Sequence, residues 1–106
     1  MAGEAAGALA AARGTGVTEV QLERQVLDGL RSHGWHAWRT HDAKHRPATI
    51  GVTDIEAVKD GRFLAIECKV GNAQPTVEQQ THIGLLRAAG HAVVVARSWD
   101  DVERYL

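Results

Sequence analysis

Two runs rich in apolar residues meet at a short turn in the stretch VTDIEAVKDGRFLAIECKV, residues 52–70. The turn is Asp60-Gly61, a pair that favours the tight reversal of a β-hairpin because both residues tolerate positive φ. The flanking runs have the β-branched and apolar composition of strands. We therefore predict two antiparallel strands over residues 52–58 and 62–70.

The register of this hairpin decides which side chains meet. Counting outward from the turn pairs Lys59 with Arg62 and places Asp54 opposite Glu67. Two carboxylates opposed on a sheet repel each other, and a divalent cation between them would remove that cost. Oxygen ligands favour Mg²⁺ or Mn²⁺ over zinc. The hairpin therefore predicts a divalent metal site.

A lysine shares the face of the second acid. Because side chains alternate along a strand, Glu67 and Lys69 point to one face while Leu64, Ile66 and Cys68 point to the other. Cys68 is therefore predicted to be a small core residue. A metal ion lowers the pKa of a bound water and stabilises charge on a phosphate, and the lysine would orient that water or offset the charge. The pattern is that of metal-assisted phosphodiester hydrolysis.

Elements of predictable type flank the hairpin on both sides. The second helix begins with Thr76 as N-cap and Gln79 as its capping-box partner. The strand after that helix should lie parallel to a hairpin strand, because a helical crossover requires it. The order is α-β-β-β-α-β-α, a mixed α/β sandwich. The remaining predicted elements are a helix over 18–32, a strand over 35–40, a loop over 41–50, a strand over 91–96 and a closing helix from Ser98.

Composition limits the chain to one compact domain. It has 106 residues, of which 44% are hydrophobic and 24% charged. We expect residues 1–16 to be a flexible Ala/Gly-rich tail and residues 17–106 to form the domain. The net charge of −1 gives no global basic field, so any nucleic-acid contact must be local or bridged by metal. The single cysteine fits a reducing compartment, and no apolar run is long enough to span a membrane.

The hairpin motif and its surroundings resemble a known family. The stretches 51–55 and 63–69 resemble the PD-(D/E)XK nuclease superfamily, which has a restriction-endonuclease-like core. The flanking sequence is similar to its VRR-NUC branch in its stand-alone phage or bacterial form. The resemblance covers residues 18–106. The flanking matches are Gly34-Trp35, residues 75–79, residues 87–90 and residues 93–98.

The resemblance implies a role for each site residue. Asp54 and Glu67 would bind the metal ion together with the main-chain carbonyl of Cys68, and Lys69 would assist catalysis. The family also carries a glutamate on its first helix and a glutamine on its second. One departure is visible, because proline commonly precedes the first acid and Thr53 stands there. The helix residues that match best are Glu23 and Gln79.

Two of these assignments have competing interpretations. Glu23 lies on the buried side of the first helix, but Glu19, one turn earlier, is a competitor for the same place. Gln79 is equally explained as the capping partner of Thr76.

The closely spaced histidine pairs invite a zinc interpretation. We set it aside because neither pair sits on an established helix with a third ligand.

A dense basic segment precedes the Asp54 strand. It is interpreted either as a plain solvated loop or as a nucleic-acid-binding loop that grips phosphate beside the site. Its residues are Arg39, His41, Lys44, His45 and Arg46.

The resemblance also implies an activity and partners. It implies a Mg²⁺- or Mn²⁺-dependent endodeoxyribonuclease that acts as a homodimer on branched DNA, such as Holliday junctions or flaps. The expected location is the cytoplasm of a bacterial or phage-infected cell. The alternative is a non-catalytic nucleic-acid-binding or regulatory subunit that keeps the fold.

Overall fold

A computed structural model describes residues 16–41 and 49–106. The predicted order of elements and the mixed sheet flanked by helices are confirmed. The predicted tail, residues 1–16, lies outside the described residues except for Gly16. The elements are α1 (Glu19–Ser32), β1 (His36–Arg39), β2 (Ile55–Lys59), β3 (Arg62–Cys68), α2 (Val77–Ala88), β4 (Ala92–Ala96) and α3 (Trp99–Glu103).

The hairpin has the predicted turn and register. Asp60 and Gly61 both adopt positive φ, at 50° and 77°. The pairing of β2 with β3 runs from Lys59 with Arg62 to Ile55 with Ile66, which is the predicted register. Extending it by one residue brings the two predicted acids side by side.

Strand β2 begins three residues later than predicted. The main-chain N–H of Cys68 donates to Oδ2 of Asp54 at 2.8 Å. This N–H therefore bonds a side-chain carboxylate just beyond the last paired residues of β2 and β3. Regular pairing with β3 begins at the next residue, Ile55. The site therefore lies where the hairpin strands cease to pair.

The sheet has the order β1-β2-β3-β4, with β4 parallel to β3 as predicted. Strand β3 is central and buried on both faces. One face packs beneath α1 and α3, where Leu64, Ile66 and Cys68 join the main core. The other face carries Ala65, which packs against Ile83 of α2 in a smaller core. The acid-bearing strand therefore lies in the interior of the molecule.

Both long helices begin with the same capping arrangement. The hydroxyl of Thr18 accepts from the N–H of Gln21, whose side chain accepts from the N–H of Thr18. Thr76 and Gln79 form the identical pair at α2, as predicted. None of the helices in the two described ranges is long and apolar enough to cross a membrane.

Candidate active site

Asp54 is held in a buried position immediately before the start of β2. Only 6% of the residue is exposed, and its Oδ2 accepts the Cys68 N–H described above. Its own carbonyl accepts from the N–H of Thr40 at 3.0 Å, while the Thr40 hydroxyl donates to the carbonyl of Thr53. Burial raises the pKa of Asp54, and the Cys68 amide opposes that shift. The carboxylate is therefore fixed in place at a cost in desolvation.

Glu67 and Lys69 form a buried ion pair, as expected from their alternation on β3. Glu67 is 1% exposed, and its Oε2 lies 3.3 Å from Nζ of Lys69. Its Oε1 has no hydrogen-bond partner in the part of the chain that the structure describes. Burial, followed by the charge of Asp54, raises the pKa of Glu67 to about 7. One carboxylate oxygen is thus left ready to bind a ligand.

Helix α1 contributes two acids to the same place. Carboxylate oxygens of Glu19, Glu23 and Asp54 lie within 4.8 Å of one another. The two glutamates are one helical turn apart, so they point to one side of α1. The two residues that competed for this position in the sequence therefore both lie there. Burial, and next the charge of Asp54, raises the pKa of Glu23.

These residues fit a divalent cation. Three carboxylates converge, and the pKa values of Asp54, Glu23 and Glu67 are all raised, which means that their charged forms lack sufficient compensation. Oε1 of Glu67 adds a buried acceptor that has no donor among residues 16–41 and 49–106. Hard oxygen donors of this kind suit Mg²⁺ or Mn²⁺. A cation would supply the missing positive charge.

Gln79 has a structural task in α2. Its side-chain oxygen accepts the N–H of Thr76 at 2.8 Å. The predicted role of Gln79 in catalysis stays a prediction.

The N-terminal end of α2 packs closely against Gly51, where an added Cβ would lie 2.5 Å from the carbonyl of Glu78. This contact links α2 to the chain that leads into Asp54.

The structure describes only the first two members of the predicted basic segment, Arg39 and His41. Arg39 places its Nε 3.2 Å from Oε1 of Glu23, so this arginine pairs with a candidate metal ligand. His41 follows β1, and its charge lowers the pKa of Glu23 and Asp54. The other three members, Lys44, His45 and Arg46, lie outside the described residues.

Two supporting residues were missed from the sequence. Thr40 secures the Asp54 segment through main-chain and hydroxyl bonds. Arg97 donates to the carbonyls of Gly71 and Ala73, just after Lys69. No spacing rule marks either residue, because both act on main-chain carbonyls that are distant in sequence.

The sequence model of the archaeal Holliday junction resolvase (Hjc) family matches residues 14–98 of this chain. The chain belongs to the archaeal Holliday junction resolvase family. The match contains every candidate metal ligand named above. The predicted VRR-NUC or PD-(D/E)XK type of nuclease is thereby confirmed.

Individual relatives agree with membership of the Hjc family. "Putative nuclease p44" of Acyrthosiphon pisum secondary endosymbiont phage 1 is 29% identical over 85 residues, which are 79% of this chain and 87% of that protein. The solved Holliday junction resolvase Hjc of Archaeoglobus fulgidus is 28% identical and has a TM-score of 0.54, covering 74% of this chain and 67% of that chain.

A VRR-NUC domain structure shows the same fold. It matches with a TM-score of 0.65 at 20% identity and covers 81% of this chain and 90% of that chain. The restriction-endonuclease-like fold expected from the sequence is therefore confirmed. This Hjc-family chain is a nuclease of the endonuclease class.

Proposed function

We propose that this chain is a divalent-metal-dependent endodeoxyribonuclease of the Holliday junction resolvase type, acting as a homodimer on branched DNA. The observation that carries the proposal is the buried group of Asp54, Glu67 and Lys69 beside the acids of α1. Burying this many charges destabilises a small domain unless they serve a ligand. The match to a nuclease family supports our assignment of nuclease chemistry to these residues.

The carboxylates would hold the metal ion. Asp54 and Glu67 would be the principal ligands, together with the main-chain carbonyl of Cys68, the residue after Glu67, and an acid of α1 would complete the set. We assign this last place to Glu23, whose side chain is only 13% exposed, with Glu19 one turn away. When bound, a divalent ion lowers the pKa of a coordinated water and stabilises negative charge on the scissile phosphate.

Lys69 has a separate task. Its ammonium group lies 3.3 Å from Oε2 of Glu67, and the residue is only 9% exposed. The contact with Glu67 holds the ammonium group in one direction. A fixed ammonium here donates hydrogen bonds to the attacking water or to a phosphate oxygen. Lys69 therefore positions the nucleophile and offsets negative charge that develops on the phosphate oxygens.

The relatives support the choice of substrate. The Archaeoglobus fulgidus protein is a Holliday junction resolvase, and the matching family carries the same description. A four-way junction offers two related strands for cutting, and a two-fold symmetric dimer would present two sites to them. We therefore infer a junction as the substrate and a homodimer as the active species.

The test is cleavage of end-labelled four-way junction, flap and linear duplex DNA with Mg²⁺, Mn²⁺ or EDTA. The variants are Asp54→Asn and Lys69→Ala. We expect metal-dependent cutting of the junction in preference to linear duplex. Each variant should lower the rate by a factor of about 100 or more, since each removes a ligand or a charge that acts on the reacting atoms.

Matched controls separate chemistry from folding. Glu56→Gln removes a half-buried acid of β2, two residues from Asp54, and Lys59→Ala removes a lysine that bonds the carbonyl of His33 far from the site. Both should cut at the native rate. If the native protein binds metal and junction DNA but cuts nothing, the chain acts as a binding or regulatory subunit.

A further inference from the structure

We propose that Arg97 is a positioning residue for the nuclease reaction. Its guanidinium group holds the segment that joins Lys69 to α2 and thereby fixes the direction of the lysine. This inference rests on the proposed role of Lys69. It assigns a function in the reaction to an arginine that lies outside the acidic cluster.

Among the described residues, both hydrogen bonds of the Arg97 guanidinium group go to main-chain carbonyls of that segment. One terminal nitrogen donates to the carbonyl of Gly71 at 3.0 Å, and the other donates to the carbonyl of Ala73 at 2.8 Å. The planar fork of an arginine suits two acceptors at once, and a charged donor makes each bond stronger than a neutral one. Arg97 therefore holds two points of the segment in one geometry.

The segment has few other supports. The last sheet bond before it joins the N–H of Lys69 to the carbonyl of Ala96 at 3.0 Å. Residues 71–74 are all exposed, whereas Val70 before them packs against the main core and the carbonyl of Pro75 after them accepts from the side chain of Gln80. A turn closes between the N–H of Ala73 and the carbonyl of Val70 at 3.2 Å, and Gly71 adopts a φ of 56°. Without the arginine, a free turn would begin two residues after the catalytic lysine.

Arg97 is itself fixed from the opposite side. Its main-chain N–H donates to Oδ2 of Asp101 in α3 at 2.9 Å. The preceding residue, Ala96, ends β4 and pairs with Cys68 of β3. The main chain of Arg97 is thus anchored at the end of β4, and its side chain extends to the turn at residues 71–73. A line of contacts runs from α3 through Arg97 to the lysine segment.

This geometry predicts a loss in rate without a loss in DNA binding. Small displacements of a catalytic group lower a rate steeply, since the reacting atoms must stay in near-attack geometry. We expect Arg97→Ala to lower the single-turnover rate by a factor of about 10 to 100. The dissociation constant for junction DNA, measured in Ca²⁺ without turnover, should stay within about twofold of native. Arg97→Lys, which can reach one carbonyl at a time, should fall between the two rates.

The matched control is Arg31, another exposed arginine whose guanidinium bonds a main-chain carbonyl. Its Nε and one terminal nitrogen donate to Ala37 at 3.3 and 2.9 Å, between α1 and β1. Arg31→Ala should lower the melting temperature about as much as Arg97→Ala and keep the native rate. Amide hydrogen exchange at Ala73 should accelerate in Arg97→Ala and stay native in Arg31→Ala.

The outcomes separate the two proposals. If Lys69→Ala is inactive and Arg97→Ala or Arg97→Lys keeps the native rate, the positioning role of Arg97 is refuted while the nuclease mechanism stands. A rate loss that is equal in Arg31→Ala would also refute it, because stability alone would explain the effect. If Lys69→Ala cuts at the native rate, the assigned chemistry fails and the inference fails with it. Should Arg97→Ala not fold, Arg97→Lys decides alone.

Discussion

Glu67 is a residue whose proposed function requires a charged carboxylate in a position where burial disfavours that charge. Its carboxyl is almost completely buried, and its pKa is raised from 4.5 to about 7. The folded protein therefore holds a proton there between pH 4.5 and 7 that the unfolded chain has released. Stability due to this proton is full below pH 4.5 and is lost as pH rises through about 7. Asp54 and Glu23 act in the same direction, because their pKa values are raised too.

The metal-free protein should therefore be less stable at pH 8 than at pH 5. The Glu67 shift corresponds to about 3 kcal/mol in the free energy of unfolding. Urea unfolding in EDTA at the two pH values measures it. Glu67→Gln should flatten the pH dependence and be more stable than native at pH 8, while Glu56→Gln should keep the native dependence. A native protein that gains stability from pH 5 to 8 would contradict the prediction.

Arg39 competes with a metal ion for Glu23. Its guanidinium lies 3.2 Å from the carboxylate, and the two side chains are 34% and 13% exposed, so solvent weakens the pair. Arg39→Ala should therefore tighten Mn²⁺ binding by about threefold at low salt and weaken DNA binding. Calorimetric titration with Mn²⁺ and DNA checks both. Arg24→Ala, an exposed arginine next to Glu23 in sequence, is the control, and weaker Mn²⁺ binding in Arg39→Ala would overturn this account.

At the scale of single residues, the sequence was informative where a local rule applied. Strand alternation and a two-residue turn were enough to bring Asp54, Glu67 and Lys69 together. The pair of Glu23 and Arg39 could not be predicted, because it depends on the angle at which α1 crosses β1. That angle follows from packing of the whole core and has no local sequence pattern.

At the scale of elements, the contact between Gly51 and α2 could not be predicted from the sequence. Gly51 has a φ of 87°, and an added Cβ would meet the main chain of Glu78 at 2.5 Å. Glycine is also expected in turns for conformational reasons alone, so its presence did not reveal the contact. The hairpin turn and both capping boxes were predictable because each depends on residues at most three apart.

Gly51→Ala should consequently displace α2 or destabilise the fold. We expect a loss of about 2–4 kcal/mol in the free energy of unfolding, from overpacking together with unfavourable φ. Gly61→Ala is the control, since its φ is 77° but nothing lies within 4 Å of an added Cβ. It should cost about 1 kcal/mol, from the backbone alone. Equal losses in the two variants, measured by urea unfolding, would show that the contact with Glu78 is unimportant.

At the scale of the whole molecule, the fold and the family were predictable and the assembly was not. The order of elements and the spacing of the acids together indicated the fold. A dimer interface is formed by surfaces of two copies, which need no periodic pattern within one copy. The net charge of −1 does bear on the whole molecule, because it leaves no long-range attraction for DNA.

The acids of the site should therefore make DNA binding depend on a divalent ion. The carboxylate oxygens of Glu19, Glu23 and Asp54 lie within 4.8 Å of one another, and in the proposed mechanism the scissile phosphate binds beside them. Repulsion between like charges at this range is strong in a partly buried site, and an ion that replaces it with attraction should raise affinity. We expect Ca²⁺, used in place of the catalytic ion, to tighten binding of a four-way junction by about tenfold or more relative to EDTA.

Fluorescence anisotropy with a labelled junction measures this directly. Asp54→Asn should bind more tightly than native in EDTA, because one repelling charge is gone, and should gain less from Ca²⁺, because a ligand is gone. Glu56→Gln, on the same strand but outside the acidic cluster, should respond to Ca²⁺ as the native protein does. The two opposite effects of one substitution distinguish a metal-bridged phosphate from a general electrostatic change. Equal native affinity in EDTA and Ca²⁺ would mean that DNA is held by contacts away from the acids.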